Sequence, residues 1–268
     1  METPPIVVDR LSPATRDAYL AFFDHERGPA FADNAEWARC YCQFYRIPRA
    51  LDWKAFTAGQ NRVAAGASIA CGEAEGYLAR VQVFPPEARD ASFPPEGGSA
   101  LGAARRAHDA FSPEARDASF PPEARDARDA GNDPDDGGVL GPHYETVGWL
   151  HAAPRHKLPH CFERLSIAPT PLDIPAHEAA VIVCFVIAPP WRRRGVATAL
   201  LDGALADLAA RGVTIVDAFP FKAGDSDSPT DHYHGPASLF ASRGFDVLSE
   251  HDDLTAMRKQ LAPPAGLP

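Results

Sequence analysis

The stretch "CFVIAPPWRRRGVATALLDGALADLAARG" (residues 184–212) joins an apolar run to an amphipathic segment through a short cationic turn. The run 181–187 is rich in β-branched residues and is followed by two prolines, so it predicts a buried strand. After Gly195, apolar residues recur at helical spacing as far as Gly212, which predicts a helix with a glycine just past its end. The sequence therefore places a strand, a turn with three arginines and a helix in direct succession.

The three arginines of this turn stand where a helix dipole favours anions. Arg192, Arg193 and Arg194 precede the predicted helix N-terminus. A bound anion would resolve the conflict, because free amides at a helix N-terminus and forked guanidinium donors both suit phosphate oxygens. Gly195 would let the backbone approach such a ligand closely. The spacing fits neither G-x-x-x-x-G-K-[ST] nor G-x-G-x-x-G, so we predict an anion site of another kind, with a solvated arginine cluster as the alternative.

Composition limits the partners and the compartment. A chain of 268 residues with 45% hydrophobic content can bury a sizeable core. The net charge of −10 argues against nucleic acid as a partner. No apolar run approaches about 18 residues and the N-terminus does not resemble a secretion signal, so we expect no membrane partner. The five cysteines include no CxxC pair, which favours free thiols, a cytoplasmic location and no metal.

A low-complexity insert interrupts the chain at about 84–142. It repeats the pattern "FPPEARDAS" with phenylalanines at 84, 93, 111 and 120, spaced by multiples of nine. The insert holds 9 of the 27 prolines, and its 12 acidic and 6 basic residues give it more than half of the net charge. Because each repeat offers one aromatic residue and no apolar periodicity, we expect disorder. The alternative is a docking segment whose phenylalanines anchor a partner.

The segments flanking the insert predict its place in the fold. "EGYLARVQV" (75–83) and "ETVGWLHAAPR" (145–155) both have the pattern of strands, so the insert enlarges a hairpin loop within a single domain of residues 1–268. Further strands are predicted at 6–11, 214–219, 245–250 and 254–261, and further helices after Ser12 and at 34–46, 53–72 and 236–244. The order of elements predicts an α+β fold, a mixed and mostly antiparallel sheet flanked by helices on both faces.

The cationic turn also carries a resemblance to a known family. Arg192-x-x-Gly195-x-Ala197 matches the acetyl-CoA signature [RQ]-x-x-G-x-[GA] of the GNAT (GCN5-related) N-acetyltransferases, and "VIAPPW" (186–191) is similar to the segment that leads into it. "SLFASRGF" (238–245) resembles the closing motif of the family. Together with "WARCYCQFY" (37–45), these motifs resemble a bacterial GNAT subgroup of unassigned substrate. The resemblance covers most of 1–83 and 144–261 and implies a GNAT-like fold.

The resemblance implies acetyl-CoA as acyl donor and direct transfer to an amine of a small-molecule or amino-acid-like acceptor. It is also compatible with a homodimer. The pyrophosphate would lie on the amides of 193–198, and the pantetheine arm would follow the backbone of 185–187. A backbone N–H near Ile187 would stabilise the oxyanion. The cofactor-binding residues so implied are Phe185, Val186, Ile187, Arg192, Arg193, Arg194, Gly195, Val196, Ala197 and Thr198.

The acid and base of such a reaction are less evident from the sequence. Where the family commonly has a proton-donating tyrosine, this chain has Phe240, which cannot donate. Tyr233 in "DHYHGPA" is the nearest alternative along the sequence, although the thiolate can also leave unaided. Asp217, on the strand after the cofactor helix, and Glu178 with His177, before the cofactor strand, are the candidate bases. Each of these has an ordinary alternative as an exposed loop residue or a polar residue at a strand edge.

Two other hypotheses remain open at this stage. Cys40 and Cys42 could include an acyl-carrying thiol, but packing among the aromatic residues of 37–45 is the simpler interpretation. The family layout places this aromatic segment at the acceptor cleft. The second hypothesis concerns the whole chain, which could be a non-catalytic acyl-CoA-binding module that recruits partners through its insert. A variant that loses turnover while keeping cofactor affinity would favour the enzyme.

Overall fold

The computed structural model describes residues 4–34, 36–83, 143–222 and 233–262, and within these ranges seven strands form one mixed sheet. The sheet order is β1-β2-β3-β4-β5-β7-β6, with β4 and β5 parallel and the pairs β1/β2, β3/β4, β5/β7 and β6/β7 antiparallel. This confirms the predicted α+β class. The strands are β1 (Ile6–Arg10), β2 (Tyr77–Val83), β3 (His143–Pro154), β4 (Ala179–Ile187), β5 (Ile215–Ala218), β6 (Asp246–Glu250) and β7 (Thr255–Gln260).

Helices cover both faces of the sheet, as the sequence predicts. On β2, the side chain of Leu78 packs with α1 and α2, whereas its neighbours Tyr77 and Ala79 pack with α4 on the other face. This alternation follows from the two-residue period of a strand. The α-helices in the described ranges are α1 (Arg16–Phe22), α2 (Ala58–Ala70), α3 (Cys161–Leu165), α4 (Val196–Ala210) and α5 (Ala237–Ala241). Each is too short or too polar to span a lipid bilayer.

The aromatic segment predicted as a helix over 34–46 has a different backbone. It forms two short 3-10 turns, Trp37–Arg39 and Phe44–Arg46. Between them Tyr41 and Cys42 take left-handed conformations, with φ of 44° and 49°. Two consecutive non-glycine residues in this region interrupt any α-helix, and the strain is tolerated because both side chains are buried in the core. The prediction of a helix there was wrong.

A β-bulge in β4 creates the geometry of the site. Cys184 pairs with His151 and Ile182 with Ala152, so Val183 is an extra residue on β4. Before the bulge Ile182 packs toward α4, and after it Phe185 does, while Cys184 faces the α1 and α2 side. The pairing of β4 with β5 also ends at Ile182. Bulges bend a strand and end its pairing, so among the described strands only β3 pairs with the last residues of β4.

The predicted insert lies outside the described residues, so its predicted disorder stays a prediction. The chain divides into a unit of 1–83 and 144–268 and a second unit of 84–143. The first unit contains the elements described above, whereas His143 is the one residue of the second unit within the described ranges. The single interrupted domain remains a prediction as well.

Candidate active site

A cavity of about 800 Å³ opens between the end of β4 and the beginning of α4. Its walls come from the splayed end of β4, the turn that follows it, the segment before α5 and the aromatic residues near Trp37. All of the residues implied as cofactor-binding line this cavity except Arg194. The cavity is also lined by Ala30, Phe31, Trp37, Trp191, Tyr233, Gly235, Pro236 and Leu239.

The turn into α4 presents a row of backbone amides to the cavity. Gly195 is the N-cap of α4, with a left-handed φ of 80°, and Arg193 is left-handed as well, with φ of 59°. The first hydrogen bond of the helix runs from the amide of Ala199 to the carbonyl of Gly195, 2.9 Å. Within the described part of the chain, the amides of 193–198 donate no hydrogen bond. Such a row of donors at a helix N-terminus suits an anion.

The three arginines of the turn have different positions. Arg192 donates to both carboxylate oxygens of Asp33 and, through Nε at 3.2 Å, to the carbonyl of Ile187. The bonds from Arg192 lower the pKa of Asp33 below its ordinary value. Arg193 and Arg194 are exposed, and the guanidinium of Arg194 lies 5.5 Å from the Trp191 ring centroid. Arg192 therefore fixes the turn to the rest of the domain, and the other two supply cations at its surface.

Beyond Ile182, the edge of β4 that faces away from β3 is no longer paired with β5. The amide of Phe185 donates to the carbonyl of Tyr233 at 2.5 Å, and that of Ala188 donates to Val147 of β3. Because the directions of backbone bonds alternate along a strand, the amide of Ile187 points away from β3, toward the gap beside the strand. This is the amide that the resemblance assigns to the oxyanion.

A second, apolar pocket of about 210 Å³ shares walls with the large cavity. The two spaces are adjacent, because Phe31, Trp37, Val186 and Tyr233 line both; we call the region of these shared side chains the junction. The ring of Tyr233 packs edge-on against Trp37, with centroids 4.7 Å apart. Tyr233 therefore stands between the space beside the cationic turn and the space among the aromatic residues.

Tyr233 belongs to a group of buried polar side chains that sequence reasoning could only partly find. The hydroxyl of Tyr45 bonds Nε2 of His234 at 2.5 Å and also interacts with the hydroxyl of Tyr233. Burial raises the pKa of both tyrosines well above the ordinary value, so both hydroxyls keep their protons at neutral pH. The sequence places Tyr45 in the aromatic segment but does not indicate its contact with His234, which is 189 positions away in the chain.

The candidate bases lie away from this junction. Asp217 is 1% exposed and accepts from two guanidinium groups, Arg258 at 2.7 Å through Nε and Arg155. Arg155 also donates to the carbonyl of Thr170. Glu178 precedes the first residue of β4, about 30 Å from Ile187 at about 3.3 Å per residue. The structure therefore brings neither carboxylate to the cavity.

Phe240 and the cysteines are packing residues in this structure. Phe240 is fully buried between the rings of Phe185 and Phe245, with centroids 6.0 and 5.2 Å away. Burial raises the pKa of the Cys40 thiol to about 12, and that of Cys42 is raised as well, so neither forms a thiolate readily. In the ranges that the structure describes, no cluster of His, Cys, Asp or Glu could hold a metal ion.

Two buried histidines make the stability dependent on pH. Burial lowers the pKa of His151 and of His234 to about 3, from about 6.5 in an unfolded chain. Below pH 6.5 the unfolded state takes up protons that the folded state does not, so stability is complete above this pH and falls toward pH 3. Each histidine contributes a slope of about 1.4 kcal/mol per pH unit.

We expect His151→Gln to reduce the dependence of the unfolding free energy on pH between pH 6 and pH 5 by about 1.4 kcal/mol per pH unit, the contribution of one histidine. The measurement is the free energy of urea unfolding at pH 7, 6 and 5 for wild type and variant. His177→Gln is the control, because the His177 side chain is 71% exposed and should not change the slope. Equal slopes for wild type and His151→Gln would contradict the assignment of a neutral, buried His151.

One family model matches part of this chain. The model of the acetyltransferase (GNAT) family matches residues 104–227. No curated protein matches the chain. The matched range covers just under half of the 268 residues and includes the cationic turn, so over that range the chain is similar to the acetyltransferases of this family.

Several solved structures are similar at low identity. The GCN5-related N-acetyltransferase from Kribbella flavida is 13% identical over 96% of this chain and 98% of that one, with a TM-score of 0.42. An N-acetyltransferase from Staphylococcus aureus Mu50 is 10% identical over 96% and 98%, with a TM-score of 0.41. The PaiA N-acetyltransferase from Thermoplasma acidophilum, in complex with coenzyme A, is 12% identical over 44% of this chain, with a TM-score of 0.29. This chain spans only 55% of the length of the Thermoplasma protein.

Proposed function

We propose that this protein transfers the acetyl group of acetyl-CoA directly to the amine of a small acceptor. The observation that carries the proposal is that two spaces, the cavity beside the cationic turn and the apolar pocket, are adjacent and share Tyr233 as a lining residue. One space suits a long phosphorylated donor, and the other suits a compact acceptor. We further propose that residues 1–268 form one such domain, interrupted by the insert at about 84–142.

The donor would bind along the path that the backbone provides. The pyrophosphate accepts from the amides of 193–198, with Arg193 and Arg194 adding charge from the surface. The pantetheine arm follows the unpaired edge of β4 from Ile187 toward Phe185. Because Tyr233 already uses the amide of Phe185, the arm bonds the backbone nearer Ile187. The thioester then lies at the junction of the two spaces.

The chemistry at the junction needs few side chains. The neutral amine attacks the thioester carbonyl, a C–N bond forms, and the amide of Ile187 stabilises the oxyanion. The C–S bond then breaks, and the leaving thiolate takes a proton from the Tyr233 hydroxyl, which regains one from solvent. Because neither Asp217 nor Glu178 lines the cavity, water takes the proton from nitrogen. This replaces the candidate bases with solvent and keeps Tyr233 as the acid.

Tyr233→Phe should lower kcat about 100-fold and leave the affinity for CoA unchanged, because it removes the proton donor but keeps the ring that packs on Trp37. The measurement is steady-state release of CoA, separated by chromatography, with acetyl-CoA and a panel of primary amines. Tyr77→Phe is the matched control, since it also removes a tyrosine hydroxyl, but one that bonds Asp207 at 2.8 Å and lines neither space, so kcat should stay close to that of wild type. A kcat for Tyr233→Phe equal to that of wild type would contradict the role of Tyr233 as the acid and would mean that the thiolate leaves without one.

A further inference from the structure

The lining and the volume of the apolar pocket favour an uncharged, apolar group about the size of an aromatic ring. Among the described residues, its walls consist of aromatic rings, one valine and thiols, with no Asp, Glu, Lys or Arg. A cavity of about 150 Å³ with an apolar lining binds benzene, so one of about 210 Å³ accommodates a ring with a short linker. The aromatic residues are Phe31, Trp37, Phe44, Tyr45, Trp53 and Tyr233.

Aromatic rings around a pocket can bind a cation as well as an uncharged apolar group, and the surroundings of these rings favour the uncharged group. The guanidinium of Arg39 lies 5.4 Å from the Trp53 ring centroid, and that of Arg164 lies 4.7 Å from the Phe44 centroid. Two of the rings are thus already paired with arginines. A second cation inside the pocket would meet like charge at short range, across a medium that screens poorly. The pocket therefore disfavours the distal ammonium of a diamine.

The pocket also disfavours the binding of a carboxylate. Its thiols are small groups that hydrogen-bond only weakly, and the Sγ atoms of Cys42 and Cys184 lie 3.9 Å apart. The hydroxyl of Tyr45 is already engaged by His234. A carboxylate placed in this pocket would lose its hydration, and no cationic side chain of the described residues lines the pocket to pair with it. An amino acid with a free carboxylate in this pocket is disfavoured for that reason.

We infer that the acceptor is a monoamine with an uncharged aromatic or branched aliphatic tail, and that the tail occupies the apolar pocket. This inference rests on the proposed acetyl transfer, and it names the substrate class of that site. The tail inserts among the rings, and the amine stays at the junction near Tyr233. In this orientation the nitrogen faces the thioester beside Val186, which lines both spaces.

The inference is tested first by binding, without turnover. Isothermal titration in the presence of CoA should show 2-phenylethylamine binding about 30-fold more tightly than ethylamine, because the ring adds buried apolar area. Putrescine and phenylalanine should bind at least about tenfold more weakly than 2-phenylethylamine. The same order of preference is expected for kcat/KM in acetyl transfer from acetyl-CoA.

A change of charge in the pocket should change its preference. Cys40→Asp places a carboxylate in the wall, so it should weaken binding of 2-phenylethylamine and strengthen that of putrescine, each by about tenfold. Cys40→Ser is the control of similar size, and it should keep the wild-type order. Equal or tighter binding of putrescine by the wild type, or no discrimination between 2-phenylethylamine and ethylamine, would overturn the inference. So would a folded Cys40→Asp protein with the wild-type order.

Binding and turnover separate this inference from the proposed function. If 2-phenylethylamine binds selectively but no amine is acetylated, the assignment of the pocket stands and the proposed reaction fails. If diamines are acetylated in preference to 2-phenylethylamine, the reaction stands and the pocket assignment fails.

Discussion

Gly195→Glu is expected to abolish the stabilisation of this protein by CoA. The substitution brings a negative charge to the row of amides at 193–198, where we propose that the pyrophosphate binds. A Cβ at Gly195 would meet no atom within 4 Å, so the substituted side chain has room beside the turn. The remaining cost is the left-handed backbone, with φ of 80°, which is about 1–2 kcal/mol for a residue with a side chain. The variant should therefore fold and fail to bind.

The measurement is a thermal melt with and without acetyl-CoA, CoA and dephospho-CoA. At about 100 times its dissociation constant, a ligand stabilises the wild type by about 2.7 kcal/mol, which corresponds to a rise in Tm of about 5–10 °C. Gly212→Glu is a matched control, because Gly212 follows the other end of α4, has φ of 84° and also has no atom within 4 Å of its Cβ. It should melt lower than wild type and keep the full shift. A full Tm shift in Gly195→Glu would contradict the proposal that CoA binds at this turn.

Asp217→Ala is expected to destabilise the fold by about 3–5 kcal/mol. The carboxylate is buried between two guanidinium groups whose side chains are only 11% and 16% exposed, those of Arg155 and Arg258. Removal of the shared anion leaves two largely buried cations facing each other, and this is the costly way to break a buried ion pair. Urea unfolding of variant and wild type at pH 7 measures the difference.

Asp202→Ala is the control for this change. Asp202 pairs with Arg243 at the surface, with a side chain that is 52% exposed, so its loss should cost less than about 1 kcal/mol. The two variants also test the alternative role of Asp217 as a general base. Wild-type stability together with a large loss of kcat in Asp217→Ala would support the base and contradict the structural role.

The local parts of this molecule were predictable from its sequence. The strand at Ala179–Ile187, the turn at Gly195 and the helix that follows lie where the pattern of residues 184–212 predicts them. Each depends on periodicity, proline and glycine chemistry within about 30 neighbouring residues, and such signals act along the chain. The resemblance to the GNAT family and the proposed donor class rest on the same stretch, because the row of amides at the helix N-terminus is a local structure.

Contacts between distant segments decided the rest of the site. Sequence alone could not place the bulge at Val183, because a continuous apolar run does not reveal which residue is left unpaired. Nor could it pair Arg192 with Asp33, 159 positions away, or assign the two guanidinium groups that hold Asp217. Tyr41 and Cys42 adopt a left-handed backbone that non-glycine residues disfavour, because tertiary packing buries both of their side chains. The sequence by itself determined the cationic turn and the sheet that carries it, whereas the tertiary structure decided the apolar pocket, because side chains from separate segments meet there only when the sheet is formed.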